Sequence, residues 1–153
     1  MRLYKLEATQ RLRIPLHEAW SFFSDPGNLA AITPGSLGFR VTSDPPPTMY
    51  PGMIITYQVS PLLGVGMSWV TEITHVEEPR YFVDEQRFGP YRFWHHQHHF
   101  SEIEGGVEMR DIVNYAPPTP AAGIIDRVLV GPRVRAIFDH RREVLAKRFG
   151  EIP

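Results

Sequence analysis

The chain contains no cysteine, which excludes disulfides, a thiolate nucleophile and cysteine-ligated zinc or iron–sulfur sites. No apolar run approaches the roughly 18 residues of a membrane-spanning helix. The N-terminal sequence MRLYKLEATQRLRI alternates charged and apolar residues, unlike a signal peptide. An excess of charge of one sign is also missing, because 16 basic and 17 acidic residues leave a net charge of −1. We therefore expect a cytoplasmic protein with no nucleic-acid partner and no stable membrane insertion.

Two common catalytic motifs are absent as well. Gly64-Val65-Gly66 lacks the third glycine of a dinucleotide-binding loop, and Gly66-Met67-Ser68-Trp69-Val70 lacks the second glycine of a nucleophile elbow. Nucleotide-dependent chemistry and serine acyl transfer are therefore not expected, and no cofactor is predicted. The 153 residues, 42% of them hydrophobic and 12% aromatic, indicate one packed domain spanning 1–153.

Alternation of apolar and polar residues predicts seven strands along the chain. In the first strand Leu6, Ala8, Gln10, Leu12 and Ile14 share one face. Turn-forming residues separate the later strands at a spacing typical of consecutive antiparallel hairpins. The predicted strands are 3–14, 38–43, 53–60, 67–77, 80–88, 92–103 and 107–116.

Helical spacing is predicted at two places. Two short helices follow the first strand, where Pro15 and Asp25-Pro26 provide start signals. A helical stretch opens at 117–120, breaks or kinks at Gly131-Pro132, and continues over 132–149 as a helix of about 27 Å. Only this helix is long enough to cover the apolar face of a seven-stranded sheet. A curved sheet that grips the helix and encloses a cavity is the expected architecture.

Several segments carry a family resemblance. They are Ala19–Pro26 with Asn28-Leu29, Ile32-Thr33-Pro34, Phe82–Gln86, Gly89-Pro90-Tyr91, Trp94–Phe100 and Met109–Tyr115. With the order of elements, they resemble the START/SRPBCC superfamily, the helix-grip fold of the birch pollen allergen, over nearly the whole chain. They are most similar to a bacterial ligand-binding branch described as polyketide cyclase/dehydrase-like.

This resemblance implies an α+β helix-grip fold. It comprises a seven-stranded curved antiparallel sheet, two short helices after strand 1 and a long C-terminal helix over an internal cavity. The resemblance also implies that the cavity binds a small apolar or amphipathic molecule. Since the superfamily hosts carriers, lipid-transfer domains, cyclases and hydrolases, the fold alone does not decide the chemistry.

The densest chemical signal is the segment His95-His96-Gln97-His98-His99. On a strand, alternation places His96 and His98 on the face of Trp94 and Phe100, which favour burial, and it sends His95 and His99 to the opposite face. By the same rule Met109, Asp111, Val113 and Tyr115 share a face of the next strand. We therefore expect Asp111 to pair with His96 or His98 across the hairpin, with Asp84 and Gln86 extending the polar cluster from the strand before.

Three interpretations of this cluster are open. Two imidazoles and a carboxylate can hold a metal ion, for which His96 and His98 are weak candidates. A His–Asp pair can also act as a general base, with His96 or His98 as the base, Asp111 as its orienter, and Tyr115 or Gln86 as a donor to an oxyanion. A hydrogen-bonded polar ladder that orients a ligand is the interpretation we favour.

The leading hypothesis is binding or transport of a small hydrophobic or amphipathic ligand in the cavity. The alternative is a cyclase, dehydratase or hydrolase that uses the His–Asp pair.

The segment from Arg127 to Arg148 contains seven basic residues and only two acidic ones. We interpret the basic residues as a solvated helix face, with a contact for an anionic partner as the alternative. A bare edge strand allows a homodimer. The predicted ligand-binding residues are Trp69, Phe82, Asp84, Gln86, Trp94, His96, His98, Met109, Asp111 and Tyr115.

Overall fold

Seven antiparallel strands form a single sheet in the computed structural model, which describes residues 1–62, 64–118, 124 and 126–153. The order across the sheet is β1-β7-β6-β5-β4-β3-β2, so the first strand pairs with the last. Consecutive strands from β2 to β7 are neighbours, as the predicted hairpins require. The strands are β1 Tyr4–Leu12, β2 Arg40–Val41, β3 Met53–Leu62, β4 Val65–Glu77, β5 Tyr81–Phe88, β6 Phe93–Ile103 and β7 Gly106–Ala116.

Short helices follow β1, and a long helix ends the chain. Helix α1 (Leu16–Phe23) begins directly after Pro15, and the 3₁₀ helix Pro26–Ile32 begins where the Asp25 carboxylate accepts a hydrogen bond from the Gly27 amide at 2.9 Å. A second 3₁₀ helix covers Gly35–Leu37. A π-helical segment, Asp126–Val130, leads into α2 (Gly131–Phe149). None of the described helices is long and apolar enough to cross a membrane.

The predicted start of the C-terminal helical stretch at Thr119-Pro120, and its residue Ile125, lie outside the described residues. At Gly131, where we expected a break or kink, the backbone instead changes from π-helical to α-helical turns. A Cβ atom at this position would meet the Asp126 carbonyl oxygen at 3.0 Å and the Tyr115 hydroxyl at 3.4 Å. The close approach of these groups explains the glycine.

The inner face of the sheet packs against α2. On β6 Trp94, His96, His98 and Phe100 are buried, while the residues between them are half-buried. Helix α2 buries Val134, Phe138, Arg141 and Leu145, which recur at helical spacing along one stripe. The described residues therefore form the predicted α+β helix-grip arrangement, with a curved antiparallel sheet around a long C-terminal helix.

Irregular pairing bends the middle of the sheet. The register of β4 against β5 shifts between Val70 and Thr71 and again between Ile73 and His75. Bulges of this kind add local twist and bend the strand. The bend helps the inner face to curve around α2 and leaves space between the sheet and the helices.

Strand β1 contacts both β7 and the segment that follows α2. Strand β1 pairs with β7 from Tyr4↔Tyr115 to Leu12↔Val107. After α2, the Ile152 amide donates to the Arg11 carbonyl at 2.9 Å. This hydrogen bond holds the segment that follows α2 against the first strand of the sheet.

Candidate functional site

A cavity of about 160 Å³ lies between the inner face of the sheet and the helices. Most of its wall is apolar, from residues such as Leu29, Met49, Ile55 and Phe82. The indole rings of Trp69 and Trp94, which also line it, pack edge to face with their centroids 5.4 Å apart. An apolar cavity of this size accommodates one six-membered ring.

Five polar residues, four of them buried and one half-buried, form one connected group beside this cavity, which we call the polar cluster. They are Asp84, His96, His98, Asp111 and Arg141. Asp84 Oδ2 lies 2.6 Å from His98 Nε2 and 3.6 Å from His96 Nδ1. Asp111 Oδ1 lies 2.8 Å from His96 Nε2, 3.4 Å from His98 Nδ1 and 3.5 Å from Arg141 Nη2. All of these residues except Asp111 line the cavity.

Strand register brings the polar cluster together. Asp84 on β5 is paired with His96 on β6, and His98 on β6 is paired with Asp111 on β7. Since all four lie on the inner face of adjacent strands, each imidazole reaches both carboxylates. The two imidazole rings have centroids 3.7 Å apart and planes tilted by 31°, and Phe82 stacks on His98 with centroids 4.0 Å apart.

The polar cluster shifts the pKa values of its own members. Burial and the neighbouring His96 lower the pKa of the His98 imidazole from 6.5 to about 4. Burial raises the pKa of Asp111, but the Arg141 guanidinium and the hydrogen bond from His96 outweigh it, so this pKa lies well below its ordinary value. Burial also raises the pKa of Asp84, and the hydrogen bond from His98 reverses the direction. At neutral pH both carboxylates are ionised and His98 is uncharged.

Ionised carboxylates only accept hydrogen bonds, so their nearest neighbours must donate. His96 Nε2 therefore donates to Asp111, and His98 Nε2 donates to Asp84. In uncharged His98 the Nδ1 atom then carries a lone pair, which faces Asp111 Oδ1 at 3.4 Å. This Nδ1 atom has no hydrogen-bond partner among the described residues.

Arg141 is buried, so the interpretation of the basic segment as a wholly solvated face is wrong at this residue. Its side chain is 8% exposed and lies beside Asp111, with the guanidinium over the rings of Phe23 and Phe138. The other six basic residues from Arg127 to Arg148 are exposed, as expected. The helical spacing of Arg141 with Val134, Phe138 and Leu145 was the signal that could have shown its burial.

The structure places six of the predicted ligand-binding residues in the cavity wall and four elsewhere. Trp69, Phe82, Asp84, Trp94, His96 and His98 line the cavity. The Gln86 amide instead donates to the Tyr91 carbonyl at 2.6 Å and accepts from the Tyr91 amide at 3.2 Å, which holds the β5–β6 turn. Met109, Asp111 and Tyr115 lie outside the wall. Met109 and Tyr115 pack in core clusters with residues of α2, and Asp111 lies beside Arg141 of α2.

Tyr115 belongs to a different group of polar residues. Its pKa is raised by burial and by a hydrogen bond with Asp126, at the start of the π-helical segment. The neighbouring Tyr91 lines the cavity, and burial raises its pKa to about 12. Both phenols are therefore protonated at neutral pH and act as hydrogen-bond donors or acceptors.

His95 and His99 lie on the outer face of β6. His95 Nε2 is 3.8 Å from Glu85 Oε1, and His99 Nε2 is 2.9 Å from Gln97 Oε1. They belong to the same strand as His96 and His98 but point away from the cavity. They therefore offer matched controls for the inner pair.

Comparison with solved structures identifies the fold. Protein CV1439 from Chromobacterium violaceum matches with a TM-score of 0.74 at 12% identity, over 95% of this chain and 97% of that one. Protein Ms6760 from Mycobacterium smegmatis matches with a TM-score of 0.66 at 19% identity, over 94% and 93%. Ginseng major latex-like protein 151 from Panax ginseng matches with a TM-score of 0.64 at 12% identity, over 94% and 97%.

These likenesses, each below 20% identity, cover nearly the whole of both chains. No family model matches the chain, and no curated protein matches it. The comparisons therefore show the helix-grip fold of the birch-pollen-allergen-like proteins, as the sequence resemblance implied. They assign no chemistry to the polar cluster.

Proposed function

We propose that this chain binds a small hydrophobic or amphipathic molecule in the cavity, with the polar end of the molecule against the polar cluster. The observation that carries the proposal is a mostly apolar wall that also contains Asp84, His96, His98 and Arg141 of the polar cluster. Burial of apolar surface supplies affinity at about 25 cal/mol per Å², and the few polar groups fix the orientation.

Two buried donors in the cavity wall indicate the kind of polar end. Trp69 Nε1 and Arg141 Nε have no hydrogen-bond partner among the described residues. Unsatisfied buried donors are uncommon and costly, so a ligand that accepts hydrogen bonds would compensate for them. A single ring with a hydroxyl, carbonyl or carboxylate group matches both the size of the cavity and these donors.

Two adjacent isoleucines on β3 provide a matched test of binding in the cavity. Ile55 lines the cavity, whereas Ile54 is half exposed on the outer face. We expect Ile55→Trp to fill the cavity and to weaken binding of 4-fluorophenol at least about tenfold, which corresponds to about 1.4 kcal/mol. Ile54→Trp is expected to leave the affinity unchanged. Fluorine NMR titration of each variant measures the dissociation constant.

Two results would count against cavity binding. One is equal weakening by both variants, since the outer face would then matter as much as the wall. The other is the absence of saturable binding by wild-type protein for single-ring phenols and carboxylic acids. Native mass spectrometry of the untagged protein complements the titration, because a stoichiometric organic adduct would identify the ligand class directly.

A general-base enzyme is the second candidate, and the 2.8 Å contact between His96 Nε2 and Asp111 Oδ1 favours it. If Asp111 orients a catalytic imidazole, Asp111→Asn is expected to lower the rate of ester hydrolysis by orders of magnitude, with 4-fluorophenol affinity little changed. Hydrolysis of 4-nitrophenyl acetate above the buffer rate measures this effect. Equal rates in wild type and variant would exclude the Asp111-dependent base.

A further inference from the structure

We propose that Asp84, His96 and His98 form a binding site for a divalent transition metal ion, such as Zn²⁺ or Fe²⁺, in the wall of the cavity. One carboxylate and two imidazoles are ligands that both ions accept. This inference goes beyond ligand binding, because it does not require an organic molecule in the cavity.

The three ligand atoms are already close to the required spacing. One carboxylate oxygen and one nitrogen from each imidazole all lie within 4.8 Å of one another. Asp84 Oδ2 is 2.6 Å from His98 Nε2 and 3.6 Å from His96 Nδ1. Metal–ligand bonds of about 2.0–2.1 Å in a tetrahedral arrangement separate neighbouring ligand atoms by about 3.3 Å. Movements of about 1 Å therefore convert the observed arrangement into a coordinating one.

The hydrogen bond from His96 to Asp111 prepares His96 to be a ligand. Because His96 Nε2 donates to Asp111 Oδ1 at 2.8 Å, the ring nitrogen left to bind a metal ion is Nδ1, which lies 3.6 Å from Asp84 Oδ2. A metal ion bound to both of these atoms would link the His96 ring to the Asp84 carboxylate.

His98 can bind the same metal ion through Nε2 if its proton moves to Nδ1. When a metal ion takes the place of the proton on His98 Nε2, that ring carries its proton on Nδ1, which lies 3.4 Å from Asp111 Oδ1. Asp111 would then accept a hydrogen bond from each of the two imidazoles. Such carboxylate–histidine–metal arrangements fix the tautomer and orientation of the ligands. The otherwise unpartnered His98 Nδ1 atom thereby gains a role.

Arg141 and the cavity complete the arrangement. The Arg141 guanidinium, 3.5 Å from Asp111 Oδ1, balances the charge of the carboxylate that supports both histidines. The three proposed ligands line the cavity, so further coordination positions are open on that side. Sites with three protein ligands and an open position are typical of reactive rather than purely structural metal ions.

Titration of the full chain with Co²⁺, after treatment with a chelator, tests the proposal. We expect one saturable site, whose visible absorption has the intensity of four- or five-coordinate Co²⁺, and competition by Zn²⁺ for the same site. His96→Ala and His98→Ala are each expected to weaken Co²⁺ binding by about 100-fold or more, and Asp111→Asn by about 10–100-fold. His95→Ala and His99→Ala, on the outer face of the same strand, are expected to leave the affinity unchanged.

The proposal is overturned if wild-type protein has no saturable Co²⁺ site, or if His95→Ala and His99→Ala remove the binding. In the second case the ion is held on the outer face. Circular dichroism checks the fold of each variant. If the alanine variants do not fold, Asp84→Asn serves in their place, because it removes the carboxylate ligand and preserves the shape of the side chain. The 4-fluorophenol titration is carried out with chelator present, so it measures cavity binding independently of any metal ion. Failure of the metal site and failure of cavity binding are therefore distinguishable.

Discussion

Arg141→Met is expected to lower the free energy of unfolding by about 3–5 kcal/mol, because it leaves the Asp111 carboxylate buried without a permanent positive partner. Asp111 is 6% exposed, and its two other close contacts, His96 and His98, carry a positive charge only when they are protonated. Denaturant unfolding at pH 7, followed by circular dichroism, measures the change. Arg135→Met, the same substitution at an exposed position of α2, is expected to change stability by less than about 0.5 kcal/mol.

The double variant Arg141→Met/Asp111→Asn shows whether the lost stability is electrostatic. Asparagine removes the buried charge but keeps an oxygen that accepts the hydrogen bond from His96 Nε2. We expect this variant to recover at least half of the loss. A single-variant loss below about 1 kcal/mol, or no recovery in the double variant, would mean that packing of the arginine stem outweighs the ion pair.

Stability of the metal-free protein is expected to fall by about 3 kcal/mol as the pH is lowered from 6.5 to 4. The pKa of His98 is about 4 in the folded state, against an ordinary value of 6.5, so between these values the unfolded chain binds a proton that the folded chain does not. His98 is faced by Asp84 on β5, His96 on β6, Asp111 on β7 and, beyond Asp111, Arg141 on α2. Both carboxylates have lowered pKa values, so their contribution is lost at a more acidic pH than this window.

Two glutamine variants, His98→Gln and His99→Gln, test whether the His98 imidazole causes this pH dependence. Glutamine at 98 removes the proton-binding group, so the slope of stability between pH 6.5 and 4 is expected to become much shallower. Glutamine at 99, on the outer face of β6, is expected to leave most of the slope in place. Denaturant unfolding at several pH values with chelator present gives both slopes. An unchanged slope in His98→Gln would assign the pH dependence to another group.

Much of the fold could be predicted because alternation and turn chemistry act locally. The strand from 92 to 103 was predicted within one residue of the observed Phe93–Ile103, and the inward placement of His96 and His98 is confirmed. Alternation also placed Asp111 across the hairpin from His96 or His98 without deciding between them, and the observed register pairs Asp111 with His98.

The errors arose where tertiary packing decides the outcome. Arg141 was assigned to the solvated face because charge is usually exposed, but its carboxylate partner comes from a strand thirty residues earlier in the sequence. By alternation Gln86 shares the inner face of β5 with Asp84, but its side-chain amide binds the Tyr91 backbone in the adjacent turn. Leu29 and Met49 line the wall from the 3₁₀ helix Pro26–Ile32 and from a loop, and alternation along strands does not place such residues.

The pairing of β1 with β7 also has a consequence for the order in which the molecule assembles. Residues 4–12 are synthesised before their hydrogen-bonded neighbours, residues 107–115, so β1 cannot complete its pairing until residue 115 has been added. Helix α2, which supplies Arg141 and closes one side of the cavity, is made later still. Contacts of such long sequence separation slow folding. Asp84, His96, His98 and Asp111 all precede Arg141 in the sequence, so a nascent chain that lacks α2 does not carry the complete polar cluster.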